Sequence, residues 1–407
     1  MSKFIIRGKN SLRGTVNVAG SKNAALPVIF AALTLFGSSQ IIGLPDIGDV
    51  DIALRLIEEQ GASITRQGSV TYINTDRASY KKPSPELVSR LRASTYLIGA
   101  CLSRFGRVDV GGYGGCAFCP RPIDYHLALC GAMGALANGD SLTAARLRPT
   151  VYKFPKPSVG ATVNFLILAA STDGESRLLN PAREPHIDTL VEFLRSAGAY
   201  IERDGEGITV RGGTLHGAEV TVRGDAIEAG TMLAASLITG GGIRVMGADP
   251  AELSPFLAIL RRAGATVDTE LGITVRAEGL SPMLVIADAY PAFPTDLGPI
   301  TAPLLAAFSG GHVIDRVWLG RYGYLSELAK LGVSYVLGEK GAKILPSRLT
   351  AGSAAATDLR GGAACILAAL GAEGYSEIHS AETVLRGYAD LCKKLTALGA
   401  DVEYSEI

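Results

Sequence analysis

Four basic residues stand close to the expected starts of helices that are rich in small apolar residues. They are Lys22, Arg92, Lys156 and Arg360. A cation at a helix N-terminus opposes the helix dipole, so this placement is explained if the cations and the helix ends share a bound anion. Any one of the four could be incidental. Taken together, they predict a site for a phosphate or a carboxylate.

A thiol and a run of backbone amides could do chemistry beside these cations. Cys116 lies in the segment GGCAFCPRP, where glycine and proline make the usual role of a free cysteine, as a small buried hydrophobe, a poor fit. Arg121 follows closely in the chain and favours a reactive thiolate. The amides of Ser158, Val159 and Gly160, which open a predicted helix, could hold a diphosphate.

Cys119 forms a C-x-x-C pair with Cys116. Zinc requires more ligands, and no second pair at metal spacing follows, so we predict no metal. A reversible disulfide that silences Cys116 is a hypothesis, and it fails if the oxidised and reduced forms turn over equally fast. We expect no cofactor.

A repeating framework must position these residues. An amphipathic helix that ends in Gly-Ala or Gly-Val, followed by an alternating strand, occurs six times, as in LRLIEEQGASITR and VEFLRSAGAYIER. The glycines of the six copies are Gly61, Gly134, Gly198, Gly264, Gly332 and Gly399. Glycine at this place supplies the left-handed conformation that ends a helix, and the alternation after it predicts a half-buried strand.

Each copy also has a second helix upstream, such as ATVNFLILAAST, which lacks a polar face and should be buried. Each repeat is therefore helix, strand, helix, strand over about 65 residues. We predict an α/β fold with two domains, the small-residue helices inside and the sheets outside. Residues 21–225 would form one domain, and residues 1–20 with 226–407 the other. A site between two such domains would be a cleft that closes on its ligands.

Composition narrows the classes of function. The chain has 407 residues, 47 % hydrophobic and 6 % aromatic, with a formal net charge of zero. Few aromatic residues and the lack of a long basic run argue against nucleic acid as a partner. We find no signal peptide, and the longest apolar stretch, residues 24–37, is too short to span a membrane. We expect a cytoplasmic enzyme with free thiols and no membrane partner.

Seven short motifs occur in an order that resembles one known family. They are VAGSKNAALP at 18–27, GGCAFCPRPIDYH at 114–126, PSVGAT at 157–162, AREP at 182–185, PAFPTD at 291–296, TDLR at 357–360 and RGY at 386–388. Together they resemble the UDP-N-acetylglucosamine enolpyruvyl transferases, which act early in bacterial cell-wall synthesis. The related enzymes that use shikimate-3-phosphate lack the cysteine loop and are a weaker match. The resemblance implies an inside-out α/β barrel of two domains, each with three repeats.

The resemblance also implies a reaction and the residues that perform it. An enolpyruvyl group would pass from phosphoenolpyruvate to the 3-hydroxyl of UDP-N-acetylglucosamine, with release of phosphate. Cys116 would protonate or covalently hold phosphoenolpyruvate, and Asp296 would act as the base at the attacking hydroxyl. Lys22, Arg121 and Arg386 would supply the fixed cations.

Further residues are implied in binding. Arg92, Arg360 and Arg321 would support the cations, although Arg321 alone could equally be a solvated surface charge. His126 is a candidate to orient the cysteine loop. The positions implied for the UDP-sugar, together with Asp358 near the reacting centre, are Asn23, Arg121, Pro122, Ile123, Asp124, Ser158, Val159, Gly160 and Val317. The partners would be the two substrates, and the chain would be a monomer or a weak homo-oligomer.

Several positions depart from what the family usually carries. They are Ala226 (usually arginine), His186 (glutamate), Gly320 and Tyr324 (asparagine and histidine), Leu297-Gly298 (Met-Gln) and Leu385 (aspartate). Most flank the acceptor, so a paralogue that acts on another uridine nucleotide is an alternative. A non-catalytic paralogue that binds the UDP-sugar and regulates is another, although the presence of Lys22, Cys116 and Asp296 disfavours it.

Overall fold

The computed structural model describes residues 2–114 and 122–406. Backbone contacts divide them into two compact units. The Lys22 unit comprises residues 20–114 and 122–223, and the Asp296 unit comprises residues 2–19 and 224–406. In these described ranges no helix is both long enough and apolar enough to cross a membrane.

Helices alternate with short strands along both units. The helices of the Lys22 unit are α1 (Lys22–Ala32), α2 (Gly48–Glu59), α3 (Pro85–Arg90), α4 (Leu97–Phe105), α5 (Asp124–Ala132), α6 (Val159–Ala170) and α7 (His186–Ser196). Those of the Asp296 unit are α8 (Ala226–Ile238), α9 (Ser254–Arg262), α10 (Gly298–Ala307), α11 (Tyr324–Ala329), α12 (Leu359–Gly371), α13 (Ala381–Leu385) and α14 (Leu391–Ala397). Turns of 3₁₀ helix at Arg92–Tyr96 and Thr295–Leu297 lead into α4 and α10.

The strands are three to six residues long. Those before α8 are β1 (Ser2–Arg7), β2 (Arg13–Asn17), β3 (Ser38–Ile42), β4 (Ser63–Gln67), β5 (Val70–Asn74), β6 (Arg107–Asp109), β7 (Leu136–Asn138), β8 (Ser141–Thr143), β9 (Val151–Lys153), β10 (Gly174–Leu179), β11 (Tyr200–Arg203), β12 (Gly207–Gly212) and β13 (Glu219–Thr221). Those after it are β14 (Gly242–Met246), β15 (Thr266–Asp268), β16 (Ile273–Arg276), β17 (Met283–Ala287), β18 (Gly311–Asp315), β19 (Ser334–Gly338), β20 (Gly341–Leu345), β21 (Ser353–Ala355), β22 (Tyr375–His379) and β23 (Asp401–Glu406).

Most of these strands form sheets on one plan. The four-stranded sheets have the orders β21-β22-β1-β23, β11-β12-β10-β9, β13-β3-β5-β4, β15-β16-β14-β2 and β17-β18-β20-β19, and a three-stranded sheet has the order β6-β8-β7. Each four-stranded sheet joins three antiparallel strands to one parallel edge strand, as where Arg13 to Asn17 pair with Gly242 to Met246. Repetition of this plan agrees with repeats in the sequence.

The helices that lack a polar face form the core. In α6, every residue from Ala161 to Ala170 is buried, and α8, α10 and α12 are buried along nearly all of their length. Helices α8, α10 and α12 pack on one another, and α4 packs on α6. Small side chains allow the helices to approach closely. Because the helix surfaces are apolar, polar groups lie at the helix N-termini. The prediction that these helices are buried is confirmed.

The six repeat glycines all adopt positive φ, between 85° and 112°. Each stands just after an outer helix, at the end of α2, α5, α7, α9, α11 or α14. An L-residue with a side chain would be strained in this conformation. The prediction made from the glycine spacing is therefore confirmed.

Each repeat contains more strands than we expected from the sequence. The strand after the repeat glycine returns as a hairpin in most copies. Short edge strands add in parallel, β9 to β10, β13 to β3 and β21 to β22. These edge strands have only three residues. Three residues are too few to show an alternating pattern, so the pairing depends on tertiary contacts.

Candidate active site

Lys22 is held at the start of α1 by a buried carboxylate. Its Nζ lies 3.2 Å from Oδ2 of Asp49, and the two side chains are 15 % and 4 % exposed. Asp49 belongs to the first turn of α2, where an acid also stabilises the helix dipole. The backbone N–H of Ser21 donates to the carbonyl of Arg223 at 2.7 Å. The ammonium group is thereby kept at the mouth of α1, next to the half-buried Asn23.

Arg92 brings a second predicted segment into the same unit. It opens the 3₁₀ turn before α4, and this turn packs against α1 and α6. Its Nη2 donates to the carbonyl of Pro122 at 3.4 Å. Pro122 and Asp124 are exposed and Ile123 is half-buried, and Asp124 is the first residue of α5. The structure therefore joins Arg92 to the segment 122–124.

The third segment is the start of α6. Ser158 caps this helix, because its Oγ accepts a hydrogen bond from the N–H of Ala161 at 3.4 Å. Val159 and Gly160 are half-buried. N–H groups in a first helical turn have no partner inside the helix, so they are available to an anion. Lys156, one of the four basic residues predicted near helix starts, is exposed and lies just outside the helix.

The Asp296 unit holds its charges in a different way. Asp296 lies in the 3₁₀ turn before α10, and its two carboxylate oxygens contact two different arginines. Oδ1 accepts from Nη1 of Arg321 at 2.9 Å, and Oδ2 accepts from Nε of Arg360 at 3.2 Å. Arg321 is 5 % exposed and Arg360 is 1 % exposed. The alternative that Arg321 is a solvated surface charge is therefore wrong.

Both arginines remain charged in spite of their burial. Burial by itself lowers the pKa of Arg321, but the carboxylates of Asp296, Asp358 and Asp315 outweigh it and raise the pKa above its usual value. The pKa of Arg360 is raised in the same way, against burial, by Tyr388 and Asp296. Nη1 and Nη2 of Arg360 are buried and, apart from the neighbouring Tyr388, have no hydrogen-bond partner among the described residues. These N–H groups can serve a bound anion.

Asp358 performs a structural task as well as an electrostatic one. Its Oδ1 accepts from the N–H groups of Arg360 and Gly361, both at 3.1 Å, so it caps α12. The same oxygen lies 3.8 Å from Nη2 of Arg321. Asp296 stands at the start of the neighbouring inner helix, and its two oxygens accept from the arginines. The sequence alone could not distinguish these two aspartates.

Arg386 lies at the end of α13 and is half-buried. The residues after it are fixed by packing. A Cβ at Gly387 would lie 2.5 Å from Cδ1 of Leu359, so a larger residue there would displace that leucine. The hydroxyl of Tyr388 is 2.9 Å from Oγ1 of Thr231, and its ring lies under the guanidinium of Arg360 at 5.1 Å. The RGY motif is thus positioned against α12.

Val317 belongs to an exposed loop that Asp315 organises. Oδ1 of Asp315 accepts from the N–H groups of Val317 and Trp318 at 2.9 and 2.8 Å, and Oδ2 accepts from the hydroxyl of Thr295. Val317 is 39 % exposed. Because Thr295 neighbours Asp296, the loop and the carboxylate are tied together within this unit.

Known carboxyvinyltransferases are similar to this chain over its whole length. A family model described as EPSP synthase (3-phosphoshikimate 1-carboxyvinyltransferase) matches residues 6–395. The UDP-N-acetylglucosamine 1-carboxyvinyltransferase of Chlorobaculum parvum is 38 % identical over 416 residues, which cover 99 % of this chain and 98 % of that one. Its counterpart in Halothermothrix orenii is 37 % identical over 411 residues, 99 % of each chain.

The chain belongs to the UDP-N-acetylglucosamine 1-carboxyvinyltransferase family. It is therefore a transferase, and the resemblance inferred from its motifs is confirmed.

Solved structures agree with this assignment. The enolpyruvyl transferase NikO from Streptomyces tendae has a TM-score of 0.90 at 27 % identity and covers 99 % of both chains. EPSP synthase from Acinetobacter baumannii has a TM-score of 0.73 at 19 % identity, over all of both chains, and shows the shared fold. The predicted α/β fold class is confirmed.

Some predicted site residues lie outside the described residues, namely Cys116, Cys119 and Arg121. Within the described ranges no group of three or more His, Cys, Asp and Glu could hold a metal ion. Sequence reasoning missed Asp49, Asp315 and Asn164. A signal existed for Asn164, which is the one strongly polar side chain in the apolar helix VGATVNFLILAA.

Proposed function

We propose that this carboxyvinyltransferase transfers the enolpyruvyl group of phosphoenolpyruvate to the 3-hydroxyl of UDP-N-acetylglucosamine and releases phosphate. The observation that carries the proposal is the 36–38 % identity to enzymes named for this activity, over nearly the full length of this chain and of theirs. In that role the enzyme would catalyse the first committed step of peptidoglycan synthesis.

The geometry of the Asp296 unit supports a role for Asp296 as the base. The hydroxyl oxygen of the sugar attacks C2 of phosphoenolpyruvate while its proton passes to the carboxylate, and C3 gains a proton. C3 then loses a proton, the double bond forms again and phosphate leaves with the electrons of its C–O bond. Arg321 and Arg360 hold the two oxygens of Asp296 in fixed positions, as positioned acid–base catalysis requires.

Cations of both units are proposed to bind phosphoenolpyruvate. We assign Lys22, Arg121 and Arg386 to its negative charges, and the buried N–H groups of Arg360 support them. A phosphate and a carboxylate gain most from donors that are already oriented and shielded from water. Cys116 is proposed as the group that protonates C3 or adds covalently to the substrate.

The UDP-sugar is proposed to bind the three joined segments of the Lys22 unit. They contribute Arg92, Pro122 to Asp124, and Ser158 to Gly160, with Asn23 beside Lys22. In the Asp296 unit we assign Val317 to the same ligand and Asp358 to the surroundings of the reacting centre. The N–H groups at the start of α6 suit a diphosphate.

Phosphate release from phosphoenolpyruvate by purified protein tests this function. Parallel reactions contain UDP-N-acetylglucosamine, UMP, shikimate-3-phosphate or no acceptor. We expect release with UDP-N-acetylglucosamine and none above background with shikimate-3-phosphate. Failure with UDP-N-acetylglucosamine would overturn the proposal.

The role of Cys116 has its own test. Cys116→Ser should abolish most of the turnover, because serine is a far weaker acid and nucleophile than a thiol. Cys119→Ser is the matched control in the same motif and should turn over normally. Equal losses in both variants would contradict the assignment.

A second acceptor is favoured by one observation. It is the set of departures from the family's usual residues at Ala226, His186, Leu297-Gly298, Gly320, Tyr324 and Leu385. An enolpyruvyl transferase that acts on another uridine nucleotide fits these residues. Phosphate release with UMP and not with UDP-N-acetylglucosamine would establish this alternative and keep the chemistry.

We further propose that the enzyme acts in the cytoplasm, where both charged substrates are made, as a monomer or a weak homo-oligomer. Cell fractionation and size-exclusion chromatography with light scattering test these two points. A membrane-bound pool or a stable large assembly would contradict them.

A further inference from the structure

Asn164 is a fully buried amide that connects separate segments of the Lys22 unit. It lies on α6 and is 0 % exposed. Its Nδ2 donates to the carbonyl of Thr95 at 3.1 Å and lies 3.3 Å from the carbonyl of Gly160. Its Oδ1 accepts from the N–H of Gly99 at 2.7 Å. One side chain thus joins the 3₁₀ turn of Arg92, the start of α4 and the first turn of α6.

His126 adds the fourth segment. It follows Asp124 on α5, it is buried, and its Nδ1 lies 2.8 Å from Nδ2 of Asn164. The amide orientation is fixed because Oδ1 already accepts from Gly99. Nδ2 is therefore the donor and Nδ1 of His126 the acceptor, which places the imidazole proton on Nε2. Burial, and next the charge of Arg92, lower the pKa of His126 to about 4, so the ring is neutral at physiological pH.

His126 and Asn164 pack closely against the backbone of Gly160 and Gly99. A Cβ at Gly160 would lie 2.9 Å from Cε1 of His126, and a Cβ at Gly99 would lie 2.6 Å from Oδ1 of Asn164. The imidazole ring packs directly beneath the backbone of Gly160. A shift of the ring would therefore move the start of α6.

The three turns that meet here carry Arg92, the segment 122–124 and the segment 158–160. We infer that Asn164 and His126 form a positioning pair that aligns these turns and so sets the affinity of the enzyme for the nucleotide sugar. The inference rests on the proposed function. Neither side chain touches the substrate, because both are buried beneath the turns, and the pair acts through the residues that it holds.

The test separates positioning from a general structural role. We expect Asn164→Ala and His126→Leu to raise KM for UDP-N-acetylglucosamine by about tenfold, since each leaves buried backbone groups or a buried amide without a partner. KM for phosphoenolpyruvate should stay within about twofold, because the hydrogen bonds of the pair go to Thr95, Gly99 and Gly160 and not to a cation assigned to phosphoenolpyruvate. Calorimetric titration with UDP-N-acetylglucosamine alone should show the same loss in Kd.

Conservative replacement and a matched control sharpen the result. In His126→Asn the amide oxygen occupies the place of Nδ1 and accepts from Asn164, so KM for the sugar should return most of the way to that of the wild type. Ser236→Ala is the control, since Ser236 is also buried on an inner helix and accepts one backbone N–H, that of Ile243, at 3.1 Å. It should leave both KM values unchanged.

Different failures have different meanings. Wild-type protein that neither binds nor turns over UDP-N-acetylglucosamine would overturn the proposed function. An active wild type whose Asn164→Ala and His126→Leu variants keep their KM for the sugar would overturn the positioning inference alone. Equal increases in both KM values, or no recovery in His126→Asn, would reduce the pair to a structural role and also overturn it.

Discussion

The two units carry their charged groups in contrasting environments. In the Lys22 unit, the polar groups sit at helix starts and turns, and Lys22 has one buried carboxylate beside it. In the Asp296 unit, Arg321 and Arg360 are almost completely buried and share the carboxylate of Asp296. Buried charges persist only where geometry supplies partners. Under the proposed function, the buried ion pairs of the Asp296 unit would order groups for proton transfer, and the helix starts and turns of the Lys22 unit would bind the larger ligand.

The contrast extends to equivalent positions within one unit. Asp225 and Asp358 cap α8 and α12 through their carboxylates. Asp296 precedes α10 in the corresponding place, yet its oxygens are taken by arginines. The carboxylate of Asp296 therefore positions two buried guanidinium groups, whereas those of Asp225 and Asp358 bind backbone N–H groups of the helices that they precede.

Removal of the charge of Asp296 should have the largest effect. In Asp296→Asn the amide keeps the shape but is no base and no ion-pair partner, so kcat should fall by about 100- to 10,000-fold. Phosphate release under saturating substrates measures it. Asp288→Asn is the control, because Asp288 forms an exposed ion pair with Arg316 at 3.5 Å. Comparable losses in both variants would remove the distinction between buried and exposed carboxylates.

Arg321→Lys should have the next largest effect. Lysine keeps the charge but cannot reach Asp296, Thr295 and Asp358 with one planar group. We expect kcat/KM for phosphoenolpyruvate to fall roughly ten- to hundredfold. Arg316→Lys, at an exposed arginine of the same loop, should change it less than twofold, as surface pairs contribute little. An unchanged kcat/KM in Arg321→Lys would show that the buried ion pairs of Arg321 do not organise the site.

The buried, neutral His126 of the Lys22 unit should make the stability of the protein depend on pH. His126 has a folded pKa of about 4 against 6.5 in an ordinary environment. Between these values the unfolded chain binds the proton and the folded chain does not, so stability falls as pH falls. The loss from pH 7 to pH 5 should be about 2 kcal/mol.

Unfolding in urea at both pH values measures this loss, and His126→Asn isolates it. The variant has no group that titrates there, so its stability should fall by about 2 kcal/mol less than that of the wild type over the same range. Parallel losses in the two proteins would show that His126 is protonated in the folded state.

The smallest effect is expected at the start of α6. Ser158→Ala removes the cap on Ala161 and should cost about 1 kcal/mol of stability. KM for UDP-N-acetylglucosamine should rise only a few-fold, since the backbone N–H groups remain. Thermal unfolding and steady-state kinetics test both statements. A loss as large as that of Asn164→Ala would mean that the cap, not the buried pair, positions this turn.

Much of the fold could be predicted because it is local. The glycine after each outer helix is required by its own backbone angles, and the apolar inner helices reveal their burial in their composition. The parallel edge strands could not be predicted, because β2 and β13 each pair with strands whose place depends on the whole unit. Within the site, motif residues were found by resemblance, whereas Asp49 and Asn164 act through contacts distant in sequence.

By itself the sequence determined the repeat, the buried helices, the fold class and the family, since each depends on periodicity or on motifs in order. Only the tertiary structure decided which charges are paired. It showed that Asp296 serves two buried arginines while Asp358 caps a helix, and that His126 accepts from Asn164. The physical reason is that a carboxylate, a guanidinium or an imidazole takes its role from the partners within hydrogen-bonding distance. The partners of Asp296 and His126 lie 25 to 64 residues away along the sequence, whereas Asp358 caps N–H groups 2 and 3 residues ahead of it.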